Sequence, residues 1–253
     1  NQINTWRSHY EPRDAAFKKA KLSGKDLIRW KFQRYAKNYL RCVKGVDESL
    51  HTLQEELRKL GLDKNTIVIY SSDQGFYIGD HGWYDKRWMY EESLKMPLIV
   101  KWPGTIKAGS KQEEMVQNLD YAQTFLDLAG APQPKDMQGR SIVPLLKGEK
   151  LVNWRKEIYY HYYEYPSVHM VPRHYGIRTN RYKLMHFYEF GDEWEMYDLK
   201  KDPDEVTNIY GKEEFLELQK SLKKRLKNLQ KFYDDQSDIS VRPEYIEKYR
   251  KKS

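Results

Sequence analysis

Only one cysteine, Cys42, occurs in the 253 residues, so no disulfide framework can form within the chain, and cysteine usage leaves the redox compartment undetermined. Long apolar runs are absent too: none approaches the ~18 residues that a membrane-spanning helix requires. The polar opening NQINTWRSHYEPRD lacks the apolar core of a signal peptide, so either the protein is cytosolic or a targeting segment has been removed. There is no internal repeat. Acidic residues are in the minority, 37 against 45 basic, and the net charge of +8 favours anionic partners such as nucleic acid, acidic polysaccharide or a membrane surface. The same mixture of signs also describes an ordinary solvated surface. Disorder is excluded, because 39% hydrophobic and 14% aromatic content can bury a real core, in one large domain or one domain with a small appendage.

From Phe32 to Leu60 the apolar positions Phe32, Tyr35, Tyr39, Val43, Val46, Leu50, Leu53, Leu57 and Leu60 recur every three or four residues. This spacing predicts a long amphipathic helix with one buried stripe, stopped by Gly61, with Cys42 beside the stripe as a small packing residue. NTIVIYSS and MPLIVKWPG then read as two strands buried on both faces of an α/β sheet. DYAQTFLDLA reads as a short helix from Asp120, with Asp120 as its cap, and MQGRSIVPLLKG as a connection punctuated by Gly and Pro. After Trp154 the texture changes to short aromatic strands, EIYYHYYEY, HYGIRT, RYKLMHFY and WEMYDL, which predict a small antiparallel sheet. EEFLELQKSLKKRLKNLQKFY would pack on it as a last amphipathic helix, and the polar tail from Asp234 would wrap or fray. Two parts follow: 1–150 as part of an α/β domain, and 151–253 as an antiparallel-sheet subdomain with its helix and tail.

Chemistry concentrates between the two strands. Asp73 and Gln74 offer a carboxylate and an amide oxygen, hard donors suited to Ca²⁺ or Mg²⁺, on the loop leaving the carboxyl end of a strand. Two donors are too few for Ca²⁺, which takes six to eight oxygens.

The stretch IVIYSSDQGFYIGDHGWYDKRWMYEESLKMPLIVKWPG resembles the second signature of the sulfatase family, within the alkaline-phosphatase-like superfamily. The resemblance continues through LDYAQTFLDLAGAPQPKDMQGRSIVPLLKG into GIRTNRYKLMHF and EMYDLKKDPDEVTNIY. It implies an alkaline-phosphatase-like α/β fold, with Asp73 and Gln74 as Ca²⁺ ligands and Lys86, thirteen positions after Asp73, as the cation that meets the sulfate. A divalent ion and an ammonium around a sulfate ester supply the charge stabilisation that its hydrolysis needs. His81 in GDHG is a candidate substrate contact or a loop hydrogen bonder. His169, Arg173 and His174, on the loop before YGIRT, are candidate substrate-recognition residues, because sulfated sugars are met by imidazoles, guanidinium and aromatic faces.

The family's nucleophile is a formylglycine made from Cys or Ser in Cys/Ser-x-Pro-x-Arg, and that motif is absent here, as is the family's first Asp-Asp pair. The chain therefore reads as the C-terminal portion of a sulfatase, inactive alone, whose partner is the N-terminal half. Within the family it looks most like bacterial N-acetylglucosamine-6-sulfatases and iduronate sulfatases. This implies a sulfated glycosaminoglycan or mucin sugar as substrate and a periplasmic or extracellular place in bacteria, or a lysosomal one in eukaryotes. Two other readings fit the same residues: a phosphoesterase or phosphonate hydrolase of the superfamily, and a non-catalytic module that binds polyanions. Nucleic acid is disfavoured, since the basic residues are dispersed and no RNA-binding signature is present.

Overall fold

The computed structural model describes residues 2–189 and 191–235. Contacts divide the chain into two compact units, Asn1–Asp63 with Ile78–Tyr84, and Lys64–Tyr77 with Asp85–Ser253.

In the first unit the polar opening folds as helix α1 (Gln2–Ala20), and the periodic segment becomes α2 (Gly24–Lys59). Phe17 of α1 stacks on Trp30 of α2 with ring centroids 4.7 Å apart. Gly61 does stop the helix, at φ +67, where the Leu62 N–H reaches back to the Leu57 carbonyl at 2.9 Å. The expected burial of the stripe is not found. No residue of α2 is buried; Phe32, Val43, Val46 and Leu53 are between 40% and 50% exposed, and Cys42 is exposed rather than packed. Apolar periodicity dictates the helix without dictating what covers it, and local ion pairs such as Lys44–Glu48 at 2.7 Å add to its support.

The second unit begins with β1 (Val68–Ser71), which pairs antiparallel with β2 (Leu98–Lys101) in the register Val68↔Lys101 to Ser71↔Leu98. The sequence predicts strands buried on both faces; here the pair is only half-buried, with Ile99 64% exposed. Between them lies the single-turn helix α3 (Glu91–Leu94). Helix α4 (Asp120–Leu128) follows, then α5 (Val143–Leu146). Asp120 does not cap α4 through its side chain. Its fully buried carboxylate instead pairs with Arg155, Nη2 to Oδ1 at 2.6 Å, and accepts the Gln117 and Arg140 amides at 2.8 and 2.9 Å.

The aromatic strands form as expected. β3 (Glu157–Tyr162), β4 (His174–Thr179), β5 (Tyr182–Phe187) and β6 (Glu193–Asp198) make one antiparallel sheet in sequence order. Side chains alternate between its faces. Tyr175, Ile177, Leu184 and Met196 meet Leu222 and Leu226 of α6 (Leu216–Phe232), whereas Met185, Phe187 and Tyr197 on the other face pack with Tyr77, Met89 and Tyr90. Both faces being covered explains why β4 and β5 read as nearly continuous aromatic and apolar runs. Gly176 is where the second layer comes closest, since a Cβ there would lie 2.4 Å from the Leu184 carbonyl and 2.6 Å from Met89 Sδ. Of the polar tail, only Asp234 and Asp235 are among the described residues.

Candidate active site

Asp73 and Gln74 leave the end of β1, as the strand reading requires. The chain then runs tightly past α3. A Cβ on Gly75 would lie 1.9 Å from the Glu92 carbonyl oxygen, so only glycine fits, and its N–H donates to the Ser93 carbonyl at 2.9 Å. Gln74 Nε2 donates to Ser93 Oγ at 2.7 Å, and Ser93 Oγ donates to the Lys86 carbonyl at 2.6 Å. The buried Ser93 therefore fastens the backbone of Lys86 and the amide of Gln74 to one point. With Nε2 held there, Oε1 is the end of the amide left for another partner.

Lys86 Nζ stands 3.9 Å from Asp73 Oδ2, with their side chains 36% and 87% exposed. At that separation the ammonium and carboxylate share a neighbourhood without forming a close hydrogen bond. An anion approaching Lys86 would meet one cation and, beside it, two oxygen donors from consecutive residues. Those two donors suit one side of a hard-cation site, and Ser93 holds the amide of Gln74 as supporting contacts usually hold a ligand. Among the described residues no group of three His, Cys, Asp or Glu side chains gathers to complete it.

The candidate substrate-recognition residues separate. His169 joins the Lys86 surroundings, with Nδ1 3.3 Å from Asp85 Oδ2 and Asp85 also paired with Arg87. Arg173 and His174 do not lie on an open loop. Arg173 is buried, with Nε donating to Glu189 at 2.6 Å and its guanidinium over the Tyr188 ring. His174 opens β4, fully buried, with Nδ1 donating to the Pro172 carbonyl at 2.8 Å and rings from Trp88, Tyr160, Tyr162 and Phe187 around it. Burial pulls its pKa down to about 4, against the opposing Pro172 hydrogen bond, so the ring is neutral. His81 belongs to the first unit, exposed in the turn Asp80–Gly82 at φ 52.

Several supporting residues escape sequence reasoning. Ser93 carries no pattern of its own. Glu91, five residues after Lys86, is gripped by Arg178 at 3.0 Å and Lys183 at 2.9 Å, and Lys183 also reaches Glu205 at 2.6 Å. Burial alone would raise the Glu91 carboxyl; the two cations outweigh it and hold the pKa at about 2. Glu205 in turn accepts the Glu91 N–H at 2.7 Å, at the start of α3. The chemistry-bearing loop is thus tied to β4 and β5 by buried charges. Alternating residues in HYGIRT and RYKLMHFY are the one trace of this in sequence, since they place Arg178 and Lys183 on the same face.

Comparison with known proteins agrees with this architecture. Residues 4–131 match the family described as Sulfatase, and residues 79–232 match that described as N-sulphoglucosamine sulphohydrolase, C-terminal. The chain belongs to the sulfatase family. Among its relatives, the N-acetylglucosamine-6-O-sulfatase of Bacteroides thetaiotaomicron is 52% identical across 91% of this chain and 42% of that protein. Arylsulfatase K of Canis lupus familiaris is 35% identical across 76% of this chain and 36% of the relative. A solved structure, described as a complex with its substrate D-glucosamine-2-N,6-O-disulfate, superposes with a TM-score of 0.86 at 50% identity, covering 94% of this chain and 49% of that one. The chain therefore spans less than half the length of these relatives.

Proposed function

We propose that this chain is the part of a sulfatase that supplies the sulfate-facing ammonium and one side of a Ca²⁺ site, and that the whole protein removes sulfate from sulfated glucosamine in glycosaminoglycan or mucin. The observation that carries this reading is Lys86 Nζ at 3.9 Å from Asp73, next to a Gln74 amide whose nitrogen is held by Ser93. The substrate class is supported by the relatives named for glucosamine sulfates.

In this reading Lys86 meets the non-bridging sulfate oxygens, and its charge counts for most as negative charge grows on the departing group. Asp73 and Gln74 Oε1 would hold the metal, which when bound would add further positive charge beside the ester. Asp85 orients the His169 imidazole toward the sugar. The formylglycine nucleophile and the remaining carboxylates come from an N-terminal half outside these 253 residues, because no Cys/Ser-x-Pro-x-Arg segment is among them.

The test is release of sulfate from glucosamine 6-sulfate by this chain joined to that half. Lys86→Ala should lower kcat/KM by roughly 10²–10³, the usual loss for one preorganised charge-stabilising donor. Chelation should abolish activity, and Ca²⁺ should restore it. Full activity in Lys86→Ala, or preference for a phosphonate monoester over the sulfate, would sink the proposal.

A further inference from the structure

Basic residues are dispersed over most of the chain, but α6 gathers six of them among its 17 residues, Lys220, Lys223, Lys224, Arg225, Lys227 and Lys231, against the single acid Glu217. Leu222 and Leu226 turn the apolar side of this helix onto the sheet. At about 100° per residue, Lys220, Lys224, Lys227 and Lys231 fall within about 60° of one another, on the side away from those leucines. All four are exposed. The row of ammonium groups runs about 16 Å along the helix axis, at 1.5 Å per residue.

The other two basic residues are engaged by the fold. Lys223 Nζ donates to the Tyr210 hydroxyl at 2.8 Å and lies 3.8 Å from the centre of the Trp194 ring, and Arg225 Nε donates to Glu157 at 2.6 Å. The outer row is arranged differently. Lys220 meets Glu217 at 2.7 Å, but Lys220 and Lys224 stand four apart, as do Lys227 and Lys231, and Lys224 and Lys227 stand three apart. Like charges at these spacings oppose the helix. The helix dipole favours cations only within the last turn, which accounts for Lys231 and not for the others. In α2, by contrast, Lys44 meets Glu48 and Lys59 meets Glu56 at 2.7 and 2.6 Å. A solvent-facing arrangement that works against its own helix is expected where a partner from outside offsets it. A linear polyanion laid along the row would replace repulsion by attraction.

The chemistry of the row selects among polyanions. A bilayer is a poor partner, because a surface-bound helix needs its apolar side, and Leu222 and Leu226 are buried against the sheet. Nucleic acid favours guanidinium groups and stacking rings, and the one guanidinium of α6 turns to Glu157. Lysines are compact charges without a fixed fork, and they suit sulfate groups whose positions vary along a chain. The choice of a sulfated chain rests on the function proposed above, in which such a polymer is the substrate. The row is not an extension of the site at Lys86, since Met89 and Tyr90 of that loop pack on the opposite face of the four-stranded sheet.

We propose that the lysine face of α6 is a docking surface for a sulfated glycosaminoglycan chain, separate from the Lys86 loop. It holds one stretch of the polymer while another is presented for desulfation, which raises the local concentration of sulfate esters.

The test is calorimetric titration of the 253-residue chain with a heparin dodecasaccharide at several salt concentrations. Binding should weaken steeply as salt rises. Lys224→Gln combined with Lys227→Gln and Lys231→Gln should weaken it at least about tenfold and flatten the salt dependence, each lost contact lowering the slope by about one. Lys107→Gln combined with Lys111→Gln and Lys135→Gln removes the same net charge from exposed positions elsewhere and should change the affinity less than about twofold. All six side chains are exposed and glutamine is a good helix former, so circular dichroism should be unchanged in both variants. Lys86→Ala should leave binding unaltered. The proposal is overturned by an absence of binding, by equal losses in the two triple variants, or by tighter binding at α6 of a single-stranded oligonucleotide of the same charge or of anionic vesicles. Binding is read without catalysis. A chain that binds as expected but forms no active sulfatase overturns only the function proposed above, and an active one whose binding ignores the α6 variant overturns only this proposal.

Discussion

Three groups of the candidate site meet on the hydroxyl and carbonyl of Ser93: the Gln74 amide, the Lys86 carbonyl and the Gly75 N–H. Replacing it by alanine removes the donor to the Lys86 carbonyl and the acceptor for Gln74 Nε2. The expected outcome is a stability loss of about 1–3 kcal/mol from groups left unmet. Alongside it, kcat should fall far more than KM rises, measured by sulfate release and urea unfolding of the same variant. Equal effects on kcat and KM would mean that Ser93 only packs. His174 gives a pH signature. Its folded pKa near 4 lies below the ~6.5 of an exposed imidazole, so the unfolded chain binds the proton first as pH falls. Its contribution is complete above pH ~6.5, declines as pH falls, and by linkage about 3 kcal/mol is gone by pH ~4. His174→Gln should flatten the unfolding curve in that window; an unchanged slope would contradict the neutral, buried assignment. The resemblance to the sulfatase signature puts Asp73, Gln74 and Lys86 forward as candidates, but nothing in the sequence tells a solvent-facing His169 from a buried His174. Both sit in an aromatic stretch, and only the pairing of β4 with its neighbours decides which ring is covered.

At the scale of elements, the loop that carries Lys86 is anchored by α3 to β4 and β5 through Glu91, Arg178, Lys183 and Glu205. Lys183 is fully buried, so removing it leaves two carboxylates facing each other without their shared cation. Lys183→Met should cost about 3–5 kcal/mol, the usual result of breaking a buried pair from one side. Adding Glu205→Gln should recover part of this, and chemical denaturation of both variants checks it. Additive losses would show that the pair is not coupled. Strand positions were legible because period-two aromatic runs and turns carry that signal locally. The partial exposure of β1 and β2 was not, since a β-branched run reports a preference for strand and not how many layers will cover it.

For the molecule as a whole, the largest disagreement concerns α2. Its periodicity specifies a helix, while its apolar residues remain 40% exposed or more at Phe32, Val43, Val46 and Leu53. A continuous apolar stripe of this kind promotes association. The chain prepared by itself should therefore scatter light increasingly with concentration, and Val46→Glu with Leu53→Glu should reduce that markedly while leaving helix content by circular dichroism unchanged. A monodisperse monomer at all concentrations would count against it. The antiparallel sheet has a further consequence, because β3 sends Tyr159 and His161 to one side and Tyr160 and Tyr162 to the other. Deleting a single residue just ahead of Tyr159 would slip the strand by one place and exchange the two sides, so the packing around His161 and the packing around His174 would be lost together. Point substitutions in this strand can be absorbed one side at a time, but single-residue insertions and deletions cannot, and any length variation here should occur in the flanking loops.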